Sequence, residues 1–183
     1  MRSLVEAVAS RRSYSRVTDA APTHAELLPL VAAAGRVADH SSLRPWRIIE
    51  LRGDARGRLG RAFVKDAGAH GPDAEKLEQK PFRAPLLLAI VSVRQKSEKV
   101  PGWEQDAVAA GVAHTLSLLL DDAGWGVFWR TGTHTRSNAV SRAHDLAKNE
   151  RLLGWLYVGG VPDGSREGHR TSIDPERYLT VLG

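Results

Sequence analysis

The sequence predicts a mixed α/β (α+β) fold around a sheet of four or more strands. Segments rich in β-branched and aromatic residues alternate along the chain with segments of helical pattern. One of them, "PLLLAIVSV" at residues 85–93, is a nearly continuous apolar run typical of a buried strand. Residues 103–123 form the longest helical stretch and are apolar on most sides. We therefore expect this helix to be buried, either centrally within one protomer or between two subunits.

The remaining elements are predicted from caps, periodicity and turn residues. Thr23 and Glu26 form a capping box that begins a helix, and Gly124 is a typical helix stop. Residues 68–83 are polar, contain glycine and two prolines, and are expected to form a mobile excursion. The predicted helices cover residues 3–10, 24–37, 54–64, 103–123 and 138–146, and the predicted strands cover residues 47–52, 85–93, 125–132 and 151–160.

Composition limits the class of protein. The 183 residues are 42% hydrophobic, which suffices for a single domain over residues 1–183. The sequence has no cysteine, so a disulfide framework, a thiolate metal site and a cysteine nucleophile are excluded. No apolar run is long enough to predict a transmembrane span, and the cytoplasm is the expected location. The net charge of +5 suits nucleic acid or a phosphate-bearing ligand, but the scattered basic residues favour the ligand.

Two arginine-bearing segments are candidate anion sites. "RRSYSR", residues 11–16, offers three guanidinium groups and two serine hydroxyls, as a phosphate requires, although a solvated basic turn is the alternative. In "FWRTG", residues 128–132, extended backbone places Trp129 and Arg130 on opposite faces. Burial of Arg130 is costly without a counter-anion. A ligand phosphate and an ion pair with an acidic side chain both remain open.

Five motifs in register resemble the FMN-dependent nitroreductase family, and most closely its short bacterial subfamily. The likeness runs from about residue 4 to Gly160 with very similar spacings. The motifs are Arg11-Arg12-Ser13; "ADHSS" at residues 38–42 followed by Pro45-Trp46; "PFRAP" at residues 81–85; Val100-Pro101 with Trp103-Glu104-Gln105; and "WRTG" at residues 129–132.

The resemblance implies a nitroreductase-like fold, with a central, mainly antiparallel sheet flanked by helices and a homodimer that binds FMN at its interface. NADH or NADPH is the implied co-substrate, and no metal is implied. Arg11, Arg12 and Ser13 would contact FMN from one subunit. Arg36 and His40 would reach the FMN of the partner subunit. Trp129, Arg130 and Thr131 would complete the site near the ribityl-phosphate end.

The function implied is transfer of two electrons from NAD(P)H through flavin to nitroaromatic, quinone or related small-molecule acceptors by a ping-pong mechanism. The alternatives are a nitroreductase-fold enzyme with another flavin task, such as dehalogenation or flavin fragmentation, and a non-catalytic FMN-binding or nucleic-acid-binding module. Arg44 stands where the family usually has glutamine, which leaves acceptor preference open. Larger family members use a late basic pair on the phosphate, and the only candidates for it here are Arg166 or Arg170. Either Arg16 or a backbone amide would stabilise reduced flavin.

Overall fold

A computed structural model describes residues 3–165 and 172–183 of the chain. The predicted elements are present, with shifts of a few residues at their ends. The helices are α1 (Leu4–Ser10), α2 (His24–Ala34), α3 (Asp54–Ala67), α4 (Gly71–Glu78), α5 (Gly102–Asp122) and α6 (Asn138–Ala143), and the strands are β1 (Trp46–Leu51), β2 (Leu86–Val93), β3 (Trp125–Arg130) and β4 (Glu150–Gly160).

The four strands form one antiparallel sheet in the order β1-β2-β4-β3. The predicted antiparallel sheet flanked by helices is therefore confirmed. Strand β2, the apolar run of the sequence, lies in the interior of the sheet, and its side chains from Leu86 to Ser92 are buried. Strand β3 lies at an edge, which leaves its outer side available to other segments of the chain.

Helices cover both faces of the sheet, and each face has its own apolar core. Helices α2 and α5 pack on one face, where Leu116 and Leu120 meet Leu88 and Leu156. Helices α3 and α6 pack on the other face and bury Leu59. Helix α5 is therefore buried, as predicted, on the side that packs against the sheet and α2. Trp103 at its start is 68% exposed.

The sequence prediction of an irregular excursion at residues 68–83 is wrong, because the segment is mostly helical. They form α4 and a 3₁₀ turn, Lys80–Arg83, that leads into β2. Leu77 packs against the core of the α3 face. The end of α4 lies so close to α3 that a Cβ atom on Gly60 would come within 2.3 Å of the Glu78 carbonyl oxygen. This packing through one leucine and one glycine has no periodic sequence signal, which is why the segment was predicted wrongly.

Residues 14–18 run along the outer side of β3 and cross to the end of β4. The Tyr14 N–H donates to the Val127 carbonyl at 2.9 Å, and Thr18 pairs with Gly160. A Cβ atom on Gly159 would lie 2.6 Å from Val17, so only glycine admits this segment. The crossing fixes the preceding arginines beside the start of β3.

His144 and Trp155 form a buried polar contact beneath the α3 face. The Trp155 indole N–H donates to His144 Nε2 at 2.9 Å, and His144 Nδ1 lies 2.8 Å from the Val140 carbonyl. These contacts require a neutral ring that donates through Nδ1 and accepts through Nε2. Burial lowers the pKa of His144 below its ordinary value, which agrees with this tautomer.

We expect His144→Gln to lower the free energy of unfolding by about 1–3 kcal/mol at pH 7.5, because a buried hydrogen bond is lost. Since the pKa of His144 is lowered on folding, its contribution is complete above about pH 6.5 and is lost as the pH falls below that value. The advantage of the wild type over the variant should therefore shrink between pH 6.5 and pH 5. Urea unfolding of both proteins across this range measures the effect, and a constant difference would contradict it.

Candidate active site at the end of the edge strand

The candidate site is built around the last residues of β3, where neighbouring side chains enter opposite faces of the sheet. Trp129 packs with the α5 face, and its ring centroid lies 4.6 Å from that of His114 in an edge-on arrangement. Arg130 projects into the α3 face. The alternation predicted from the sequence is therefore present, and the dipeptide reaches both layers of the protein.

Arg130 has aromatic neighbours instead of an acidic partner. Its guanidinium carbon lies 4.3 Å from the ring centroid of Phe128 and 5.1 Å from that of Tyr157. Among residues 3–165 and 172–183, no carboxylate lies within ion-pair distance of Arg130, so the ion-pair alternative is not what the structure shows. The Nε atom of Arg130 is buried without a hydrogen-bond acceptor from the described residues.

Trp129 shares this property, because its indole nitrogen Nε1 is also buried without an acceptor among the described residues. Buried donors in folded proteins are nearly always paired, so an unpaired one indicates a missing ligand, ion or water. Because the two side chains enter opposite faces of the sheet, only the Arg130 donor is combined with the cavities on the α3 face, where it is available to a group that carries acceptor oxygen or nitrogen atoms.

Two adjoining cavities open beside Arg130 on the α3 face. The first has a volume of about 430 Å³ and is walled by aromatic rings, including Phe63, Phe128 and Trp155, with Lys80, Arg83 and Arg130 around it. The second, of about 560 Å³, is lined by Ser15, Arg16, Val17, Arg83 and Arg130. Within residues 3–165 and 172–183, no acidic side chain lines either cavity. This combination of flat apolar walls and uncompensated cations suits an anionic, aromatic ligand.

Tyr157 forms part of the first cavity and keeps its proton there. Burial raises the pKa of Tyr157 to about 12, and the nearby positive charges of Arg130 and Arg83 offset this only in part. The phenol is therefore a neutral wall of the cavity at physiological pH, and the positive charge of Arg130 is not balanced by it.

Gly154 allows the motif to approach β4. Its φ of +153° is rare for L side chains, and it lies where the register between β2 and β4 shifts. A Cβ atom on Gly154 would lie 2.5 Å from the Arg130 carbonyl oxygen and 2.6 Å from Trp129 Nε1. The close passage of residues 129–131 over β4 therefore requires glycine, and Thr131 lies in the same contact.

Arg11, Arg12 and Ser13 lie at the C-terminal end of α5. The Arg12 N–H donates to the Asp121 carboxylate at 3.4 Å. The Arg11 guanidinium donates to the Arg12 carbonyl at 3.1 Å and to the Ser13 hydroxyl at 3.4 Å. These local contacts hold the segment against the end of the helix and next to the edge strand.

His40 lies at the opposite, N-terminal end of α5, while Arg36 precedes Val37, which packs beside Gly111 in the middle of the helix. Arg36 is exposed, and His40 Nδ1 lies 3.0 Å from the Glu104 carboxylate. The loop after His40 bends through Ser41, Ser42 and Arg44, all with positive φ. Such backbone is unfavourable for these residue types and persists only where surrounding contacts determine it.

The motif that begins at Val100 supplies those contacts. Glu104 binds His40, and the buried Gln105 side chain bonds the backbone of Gln95 and Val100. The Gln95 side chain in turn donates to the Leu43 carbonyl at 2.6 Å. The motif at residues 100–105 thus anchors the His40 loop to the start of α5, partly through Gln95.

The structure brings some predicted residues together and separates others. Within one protomer, Arg12 at Asp121 and His40 at Glu104 are separated by 17 residues of α5, or about 25 Å along its axis. They cannot contact one phosphate within a protomer.

Arg166 and Arg170 lie outside the described residues. Sequence reasoning missed Lys80, Arg83 and His134 as cavity residues; Arg83 was present in the "PFRAP" motif, but nothing in the sequence links it to Arg130.

An antiparallel sheet between two helical layers, with an aromatic, cation-lined cavity beside the edge strand, is what we expect of a flavin-dependent oxidoreductase. Comparison with known proteins agrees with this class. The model of the nitroreductase family matches residues 8–160, and the chain belongs to this family. An Escherichia coli K12 protein named "Putative NAD(P)H nitroreductase YdjA" is 33% identical over 97% of this chain and 98% of its own length.

Solved structures share the fold. A nitroreductase-like family protein from Bacillus cereus superposes with a TM-score of 0.83 at 18% identity, covering 100% of this chain and 97% of its own. The FMN and NADPH-dependent nitroreductase NfnB from "sphigopyxis" sp. strain HMH gives 0.77 at 17% identity, with 99% of both chains covered. The predicted family and fold are thereby confirmed, and the predicted flavin oxidoreductase agrees with what these proteins are named. No described helix is long and apolar enough to cross a membrane.

We expect Gly154→Ala to lower the free energy of unfolding by about 2–4 kcal/mol, because a strained φ adds to a clash with backbone. Gly124→Ala is the matched control: Gly124 also has a positive φ, of +86°, but nothing lies within 4 Å of its Cβ position. The difference between the two variants in urea unfolding isolates the close approach of β3. Equal losses in both variants would show that this approach does not require glycine.

Proposed function

We propose that the protein is a cytoplasmic homodimer that passes two electrons from NADH or NADPH through bound FMN to nitroaromatic, quinone or related acceptors. The observation that carries this proposal is the unsatisfied buried donor Arg130 Nε, which lies beside a cavity shared with Arg16 and Arg83 and belongs to the motif that resembles the flavin-binding segment of the family. FMN would supply the redox chemistry, and the chain supplies binding, orientation and electrostatics.

The residues beside β3 fit such a cofactor in charge and shape. Arg16, Arg83 and Arg130 meet at one cavity without a carboxylate, and guanidinium groups bind phosphate and other anions through paired, charge-assisted hydrogen bonds. The adjoining cavity has the flat aromatic walls that a planar ring system requires. We assign Arg11, Arg12 and Ser13 to the same cofactor, because residues 14–18 bring them to the start of β3.

The homodimer follows from the placement of Arg36 and His40. Since about 25 Å of α5 separates His40 from Arg12, both can serve one FMN only if they come from different protomers. A two-fold pair with antiparallel α5 helices would bring the start of one helix to the end of the other. Exposed apolar side chains next to α5 support this arrangement, since Leu4, Val5 and Trp103 are 74%, 78% and 68% exposed.

A ping-pong order follows if donor and acceptor use the same cavity in turn. The cations around it favour a negatively charged ligand ring, and the aromatic walls limit access of water to it. The neutral Tyr157 adds no competing negative charge. These features support reduction by a nicotinamide nucleotide, departure of the oxidised nucleotide and then entry of the acceptor.

The deciding experiment is anaerobic titration of the purified protein. We expect yellow protein with bound FMN that is bleached by NADH or NADPH and regains its colour on addition of a quinone or nitroaromatic compound. Colourless protein that takes up no added FMN would contradict the proposal, and a salt-sensitive gel shift would then favour the nucleic-acid alternative. Flavin that is bound but not reduced by either nucleotide would indicate a non-catalytic binding module.

We expect Arg130→Ala and Arg12→Ala each to weaken FMN binding at least tenfold, or about 1.4 kcal/mol, because each removes a charge-assisted contact to the cofactor. Folding should change less in Arg130→Ala, since no carboxylate of the described residues pairs with this guanidinium. Arg58→Ala is the control, because Arg58 pairs with Asp145 on the surface away from the cavities. Fluorescence titration with FMN and urea unfolding measure the two effects, and unchanged FMN affinity in both site variants would remove the assigned roles.

A further inference from the structure

We propose that His134, held by Asp66, is the residue that donates a proton to the acceptor during its reduction. His134 lies on the 3₁₀ turn Thr133–Arg136, just after the Trp129–Gly132 motif, and it lines the aromatic cavity together with Arg130. The inference rests on the proposed function, because it concerns the second half of that reaction, in which the acceptor is reduced.

Two contacts fix the orientation of the His134 ring. Its Nδ1 atom lies 2.6 Å from the carboxylate of Asp66, which comes from the end of α3. Its face stacks on Phe63 with a centroid distance of 4.6 Å and an interplanar angle of 28°. The hydrogen bond with His134 lowers the pKa of Asp66, so this carboxylate is ionised at neutral pH. An ionised partner on Nδ1 fixes which ring nitrogen faces the carboxylate and holds the ring in place.

The other nitrogen of this ring is available for chemistry. Nε2 makes no hydrogen bond to any residue in the described part of the chain, and the His134 side chain is 25% exposed. The ring is thus held on one side, accessible on the other and placed at the wall of a cavity. This is the arrangement expected of a general acid whose position is set by a carboxylate.

The rest of the cavity offers no comparable proton donor. Arginine side chains do not release their proton in proteins, and lysines as a class keep theirs through the neutral range. Burial raises the pKa of Tyr157 to about 12, so its phenol is a poor acid near neutral pH. The charged and titratable groups that line the cavity with His134 are Lys80, Arg83, Arg130 and Tyr157.

The reaction needs one proton beyond the transferred hydride. Bound FMN, once reduced, would supply the hydride equivalent. A quinone that gains this equivalent forms one O–H bond and keeps a negative charge on its second oxygen. His134 Nε2 gives its proton to that oxygen, which completes the hydroquinone. The neutral ring, still bonded through Nδ1 to Asp66, then recovers a proton from water. Positive charges from Lys80, Arg83 and Arg130 stabilise the oxyanion until the proton arrives.

The test compares two acceptors in stopped-flow reoxidation of the NADPH-reduced holoenzyme. Benzoquinone requires a proton, whereas ferricyanide accepts electrons without one. We expect His134→Gln to slow reoxidation by benzoquinone about 100-fold, in the range typical for loss of a general acid. The rate of reoxidation by ferricyanide should stay within about twofold of the wild-type rate. Asp66→Asn, which perturbs a positioning residue, should slow reoxidation by benzoquinone about tenfold and leave the rate with ferricyanide within about twofold. Added imidazole should restore part of the benzoquinone rate in His134→Ala.

The matched control is His24→Gln, because His24 forms a similar pair with Glu50, at 2.7 Å, on the surface outside the cavities. It should change neither rate. FMN content, measured as the ratio of flavin to protein absorbance, and the rate of bleaching by NADPH should be unchanged in every variant. Equal slowing with both acceptors, no slowing with benzoquinone, or loss of FMN from His134→Gln would overturn the inference. Wild-type protein that binds no FMN or is not bleached would instead refute the proposed function.

Discussion

The site depends on one constraint, the partial burial of the Arg130 guanidinium without a negative partner among the described residues. The aromatic faces of Phe128 and Tyr157 lie against the cation and stabilise it in part. They supply no acceptor for the buried Nε atom, and neighbouring Arg16 and Arg83 add further positive charge. Both features favour the binding of an anion here.

The length of the helix α5 is the physical basis of the proposed homodimer. Its buried side packs on the sheet and on α2, while its ends organise the Arg12 segment and the His40 loop. The network of Gln105 and Gln95 makes the start of the helix and the loop one rigid unit. A helix is too stiff to bring its own ends together, so a second protomer is the simplest means to combine both sets of residues around one ligand.

Much of the fold was predictable because burial leaves periodic patterns in the sequence. The strand at residues 85–93, the helix at residues 103–123 and the capping box at Thr23 are examples. The common site that the motifs predict for Arg12 and Arg130 stays a prediction. The helix Gly71–Glu78 was missed because a short polar helix fixed by Leu77 and Gly60 has no such pattern. The pairing of Asp66 with His134 joins residues 68 positions apart, and only the tertiary fold brings them together.

The pleat of β3 lets one short motif serve both layers. Successive side chains in a strand point to opposite faces, so Trp129 packs against His114 of α5, while Arg130 lines the cavity to which we assign the cofactor. A slip of one residue in the pairing with β4 would exchange the faces of the two side chains and remove Arg130 from the cavity. The register shift beside Gly154 sits opposite this point. Glycine there admits the close approach of residues 129–131, so a residue without a side chain determines how near the indole and the Arg130 backbone come to β4.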